Sequence, residues 1–281
     1  MGVYSALPSK GTVYNNTNGQ LSSGTYVGDD NWDSYEREVL LFGYKLDHTI
    51  NDTWSFLQNS RVTLAEAYQE NTYSTSLDSD ERTLNRRAYL TDESTEGFNI
   101  DNQLSAVFDL GEAEHNVLFG LDYLTLTSDI KYEDAAAPTI DIYNPDYSQI
   151  TFSSLNFAAS GYSSDFKIER KQLGFYIQDQ IRLDQWVFIV GGRYDRYDYE
   201  ESGTKYGASA TDTVDASEFT GRIGALYEFE NGLSPFVSYS QSFEALSGSD
   251  SGGNVNEPSM SDQLEAGIKY RANGFNAGIT A

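Results

Sequence analysis

The sequence predicts an all-β chain, a membrane-spanning antiparallel barrel wall of about ten meander strands. Three observations predict it. Tyr 21 and Phe 15 raise the aromatic content to 14%, beside Gly 24 and Pro 5, a composition that suits many strands joined by turns. Segments in which apolar and polar residues alternate recur along the chain, each near the ~9–11 residues that a tilted membrane-spanning strand needs. Their connections are short at one end and long at the other, the asymmetry of barrels that cross a membrane.

Ten segments follow one another in this way. Leu40, Phe42, Tyr44 and Leu46 form one face of the first, with Leu41, Gly43, Lys45 and Asp47 opposite. A turn at Thr49-Ile50-Asn51-Asp52-Thr53 reverses the chain into a strand that starts at Trp54 and Phe56 and continues through Val62, Leu64 and Tyr68. The third sets Leu104, Ala106, Phe108 and Leu110 against Asn99, Asp101, Gln103, Ser105 and Asp109. After a reversal at 111–115, the fourth sets Val117, Phe119, Leu121 and Tyr123 against Asn116, Gly120 and Asp122. Hairpins follow at 172–198 and 218–243, and a last one starts at Asp262 and turns at Ala272-Asn273-Gly274. Long connections are expected near 70–97, 131–168, 199–217 and 244–260. A soluble β-sandwich would bury its apolar face and seldom show such one-sided loops.

Composition narrows the function classes. Lys+Arg 18 against Asp+Glu 43 gives a net charge of -25, a field that repels phosphate backbones, so no nucleic-acid partner is expected. With mean hydropathy -0.51 and no apolar run near the roughly 20 residues of a spanning helix, a helical membrane protein is excluded. Cys 0 removes disulfides, thiolate metal sites and a cysteine nucleophile. The start Met1-Gly2-Val3-Tyr4 carries no basic region followed by an apolar core, which reads as a missing N-terminus for a secreted barrel.

Gly174-Phe175-Tyr176-Ile177-Gln178-Asp179-Gln180, running through Trp186 to Gly191-Gly192-Arg193-Tyr194-Asp195, resembles a strand pair of TonB-dependent siderophore receptors of the ferrichrome type. Phe219-Thr220-Gly221-Arg222, Ser238-Tyr239-Ser240-Gln241-Ser242-Phe243-Glu244 and Gln263-Leu264-Glu265-Ala266-Gly267-Ile268-Lys269-Tyr270 are similar in order and spacing. Upstream, Leu7-Pro8-Ser9-Lys10-Gly11-Thr12-Val13 and Gly43-Tyr44 fit as well. The resemblance implies a barrel of about 22 strands around an N-terminal plug, of which residues 1–281 would be a partial barrel domain, cut at both ends, with the plug and remaining strands absent. It implies a Gram-negative outer-membrane receptor that takes up a ferric siderophore, hydroxamate-like. Its partners would be outer-membrane lipid and, through the missing plug region, the TonB energy-transducing complex. No enzymatic chemistry is implied, and no cofactor, because iron arrives inside its chelate.

Loop aromatics near the positions of Tyr4, Tyr73 and Tyr132 line the siderophore pocket in that family, so the resemblance makes these three the candidate ligand-binding residues. They combine a large contact surface with a polar handle; the same tyrosines would also serve to pack the loops or to face lipopolysaccharide. His48 and His115 both sit beside short turns and are too few and too separated for a transition-metal site. Arg61, Arg193, Arg222 and Lys269, with Asp109, Asp122 and Glu228, are expected on the wet face, pairing across strands and anchoring a plug or guiding substrate. Asp29-Asp30 and 78–81 lack the spacing of a calcium loop and read as solvated charge. Ser238, Ser240 and Ser242 form a small wet face with no histidine near enough to make a nucleophile. The alternative is an intact ten-stranded barrel acting as a hydrolase or adhesin.

Overall fold

The computed structural model describes residues 7–244, 246, 256, 258–272 and 274–281. It is one sheet. Ten strands follow in chain order, each antiparallel to the next: β1 (Ser34–Thr49), β2 (Trp54–Leu77), β3 (Thr83–Leu110), β4 (Ala113–Asp141), β5 (Ser164–Leu183), β6 (Trp186–Lys205), β7 (Ala208–Tyr227), β8 (Leu233–Glu244), β9 (Ser259–Ala272) and β10 (Phe275–Thr280). No second sheet packs on it among the described residues, so the sandwich is set aside. β1 and β10 stand at the two ends of the strand order, not hydrogen-bonded to each other, so the sheet is open and the intact ten-stranded barrel loses its footing.

Through the apolar band the register is unbroken and fixes the two faces; the shifts at Ser74/Ser76 and Leu84/Arg86 lie above it. Leu104 lies opposite Phe119, Ala106 opposite Val117 and Phe108 opposite His115 in the β3–β4 ladder, and Ile177 and Phe175 on β5 continue the row against Phe119 and Leu121. Leu121 and Phe175 stay exposed at 47% and 55%, as they must if hydrocarbon is to be their solvent. The other face carries Arg61, Asp101, Asp122, Tyr176, Arg193, Arg222 and Ser240 from seven consecutive strands. All seven line a single hollow of about 690 Å³, so this polar face is the concave one. Ser238 and Ser242 alternate with Ser240 on that side.

Turn chemistry closes the short end. Asn51 Oδ1 accepts from the backbone N–H of Thr53 (3.0 Å) and Trp54 (2.9 Å), a side chain imitating a backbone turn. Gly232 turns with φ +89 where a Cβ would strike the Arg271 carbonyl. Asn273 lies outside the described residues. Trp186 packs on Phe188 and Tyr227 (5.6 and 4.9 Å), and Tyr227 on Phe229 (4.7 Å), giving this end an aromatic rim.

The expected long connections need correction. β2 runs to Leu77 and β3 starts at Thr83, so most of 70–97 is ladder, with only 78–82 left as turn. β6 and β7 likewise extend to Lys205 and from Ala208, and β4 reaches Asp141, leaving 142–163 as the loop after it. The reason is physical. Past the apolar band both faces turn polar, as Glu66, Glu70, Asp92 and Glu93 show, so hydropathy no longer marks the strand while the backbone ladder continues. Of 244–260, the tract 247–253 lies outside the described residues.

A cover packs on the convex side of this extension. Trp32, Ile150 and Leu155 close over Ala88, Leu90 and Ala135. Buried Arg86 donates to the carbonyls of Val27 (3.0 Å), Gly28 (2.5 Å) and Pro138 (3.0 Å) and to Gln149 Oε1 (2.8 Å), with Asp29 at 3.8 Å. Asp29 Oδ2 accepts in turn from the N–H of Gln149 and Ile150 (3.0 and 3.2 Å). The carboxylates at 78–81 are spent in the same manner, Asp80 on Arg82 and Thr83 and Glu81 on Lys10 and Thr17.

Candidate functional site

Alternation places Tyr73, Tyr89 and Tyr132 on the concave face, above the apolar band. In the ladders Tyr73 faces Arg87, and Tyr89 faces Asp134, two residues from Tyr132. Side chains two apart share a face, so five groups from three strands meet. Tyr89 stands between the other rings, with centroids at 6.2 Å to Tyr73 and 6.1 Å to Tyr132. The expected loop positions of Tyr73 and Tyr132 are thus corrected to strands β2 and β4, since the ladder persists beyond the lipid-facing band. Tyr4 lies outside the described residues.

Asp134 is the hub. Its Oδ2 accepts from the hydroxyls of Tyr73 (2.7 Å) and Tyr132 (3.3 Å), and its Oδ1 from Arg87 Nε (2.5 Å) and Ser160 Oγ (3.1 Å), with Arg87 Nη2 also in contact. The carboxylate is fully buried, and so many donors compensate the cost of burying it. Burial and then the hydrogen bond to Asp134 push the Tyr73 phenol up to about 12. Burial and the Asp134 charge raise Tyr132 as well. Both phenols therefore stay protonated donors at physiological pH and present ring faces, not phenolate ligands. The loop 142–163 closes one side, where Ser160 touches Arg87 (3.0 Å) and Tyr162 lies 5.3 Å from the same guanidinium. Tyr89, Arg87 and Asp134 were not singled out from sequence, though the pairs Arg87/Tyr89 and Tyr132/Asp134, each spaced by two, carried the signal.

Below it, the lumen wall carries a second network. Arg193 on β6 lies across Gly174 on β5 to reach Asp122 on β4 (Nη2 to Oδ1, 3.0 Å) while its Nε bonds Asp195 (2.7 Å). Tyr176 crosses Gly120 to donate to Asp101 (2.8 Å). The glycines are the cleared floor, because a Cβ at Gly174 would overlap the Arg193 guanidinium and one at Gly120 the Tyr176 ring. The expected cross-strand pairing thus holds for Arg193 with Asp122, and Glu228 pairs with Arg182 at the turn end (2.6 Å). Lys269 instead sits 4.9 Å over the Phe236 ring. The histidines belong elsewhere, on the convex face, where His115 stacks on Phe108 (5.4 Å) and its Nδ1 meets Asp179 (2.7 Å). Replacing Gly174 by Ala in the full-length protein is expected to cost about 1 kcal/mol in urea unfolding by displacing Arg193. An unchanged midpoint would show that the network does not depend on the cleared floor.

Residues 2–281 match the family model described as TonB dependent receptor-like, beta-barrel. The ferrioxamine B receptor of Salmonella typhimurium strain LT2 is 34% identical over 286 residues, which cover 100% of this chain and 39% of that protein. The ferrichrome outer membrane transporter/phage receptor of Escherichia coli K12 is 33% identical over 292 residues, 96% of this chain and 38% of its own length. The chain therefore spans less than half the length of these curated relatives. Among solved structures, the closed form of the ferric-catecholate import receptor Fiu of Escherichia coli K12 matches with TM-score 0.76 at 21% identity, covering 95% of this chain and 42% of that one.

Proposed function

Because the chain belongs to the TonB-dependent receptor-like β-barrel family, we propose that it forms part of the wall of an outer-membrane receptor taking up a ferric siderophore of hydroxamate type. The observation that carries the reading is the tyrosine cluster: three rings on the concave face, Tyr89 stacked on Tyr132 and tilted against Tyr73, above an apolar convex band and on the same face as the polar hollow. Rings pinned as neutral phenols suit a bulky chelate that already satisfies its iron, and the wall need contribute no ligand to the metal. The similarity to ferrioxamine and ferrichrome receptors favours the hydroxamate class. The open edges at β1 and β10 favour further strands completing the wall, since unpaired backbone groups in hydrocarbon cost several kcal/mol each. A plug inside the completed barrel and coupling to TonB belong to the same proposal, as does the Gram-negative outer membrane as its place.

The test uses the full-length receptor. Cells lacking it should lose growth on a ferric hydroxamate as sole iron source and regain it with the intact gene but not with one whose TonB-contacting segment is deleted. Growth that ignores the receptor, with binding to the purified protein also undetectable, would remove the uptake reading.

A further inference from the structure

The tyrosine cluster contains one cation in contact with it among the described residues, Arg87, and that charge is already cancelled. Asp134, 0% exposed, takes two bonds from Arg87 on one oxygen and both phenols on the other. The next charge along the same face of β3 is Glu93, which adds negative potential. Among the described residues, a ligand at the rings therefore meets no free cation.

We propose that Asp134 is a positioning residue that sets the charge selectivity of the cluster. By neutralising Arg87 and holding Tyr73 and Tyr132 as donors, it leaves ring faces suited to a neutral ferric chelate and unfavourable to an anionic one. This rests on the uptake reading above. The chemistry separates the candidate cargoes, because a ferric tris-hydroxamate is neutral whereas a ferric tris-catecholate is strongly anionic. A bare Arg87 at the rings would attract the second class, as guanidinium groups attract carboxylate and phosphate anions elsewhere.

Equilibrium competition on the purified full-length receptor, with a neutral ferric tris-hydroxamate and an anionic ferric tris-catecholate as probes, tests the assignment. Asp134→Asn should shift the affinity ratio at least threefold toward the catecholate by exposing the charge of Arg87. Arg87→Gln should shift it the opposite way, because Asp134 is then left uncompensated. Opposite shifts are a result that a merely structural role does not give. Equal weakening of both probes in either variant, or shifts in the same direction, would overturn the assignment while leaving uptake intact. Should Asp134→Asn fail to assemble, Arg87→Gln alone decides, since a shift toward the catecholate contradicts the proposal. If the unaltered receptor binds neither probe, the uptake reading fails first and this one with it.

Discussion

Phe119→Arg in the full-length receptor is expected to destabilise the folded barrel by about 2–4 kcal/mol, the cost of an arginine near the middle of the lipid-facing band. Phe119 lies on the convex face of β4, opposite Leu104 on β3 and Ile177 on β5, midway between the Phe108–His115 stack and Tyr123. On the neighbouring same-face rung Asp179 stands opposite Val117, but His115 Nδ1 already holds it (2.7 Å), so a guanidinium at 119 must compete for it, snorkel or stay poorly solvated. Ser105→Arg is the control. Ser105 pairs with Leu118 one rung away but on the concave side, where water and Gln103 and Asp101 are at hand, and the expected cost is below about 1 kcal/mol. Urea-dependent unfolding in defined lipid vesicles measures both. Equal costs would mean that the two faces have the same surroundings, and the assignment of the convex face to lipid would be wrong.

That contrast explains why the fold was legible in the sequence within the band. A residue period of two survives only where one face meets hydrocarbon and the other water, so Leu104/Gln103 and Phe119/Gly120 announce both strand and orientation. Above the band the outward face meets water too. Asp92, Glu93 and Ser94 read as loop although all three sit in an unbroken ladder with β4. The candidate site was half legible for the same reason. Tyr73 and Tyr132 were found as aromatics, but their meeting depends on the register that sets Tyr89 opposite Asp134, a long-range fact that no local pattern contains. Asp29 and Arg86 illustrate the other blind spot. Twenty-nine and eighty-six carry no mutual signal in sequence, yet they join the segment before β1 to β3 as a buried pair.

Replacing Tyr73 and Tyr132 together by Ala in the full-length receptor is expected to weaken ferric hydroxamate binding roughly tenfold or more, since a well-packed aromatic contact contributes about 1 kcal/mol beyond its area and two are removed. The structure adds a reason for the effect to fall short of the sum of the two single changes, each of which should cost more than its own ring. Both hydroxyls end on the same Asp134 oxygen, and both rings flank Tyr89, so the first truncation already loosens the second ring. Assembly should be spared, because the rings stand above the apolar band and the β2–β3 and β3–β4 backbone ladders do not use them. Fluorescence quenching titrations give the dissociation constant, and surface display on whole cells reports assembly. Tyr73→Phe with Tyr132→Phe separates ring from hydroxyl: the rings remain, Asp134 loses two donors, and binding should fall less than with alanine. A dissociation constant unchanged by the double alanine variant, at normal surface display, would show that the cargo rests elsewhere on the wall or on the plug, and the site assignment would be withdrawn while the uptake reading stood.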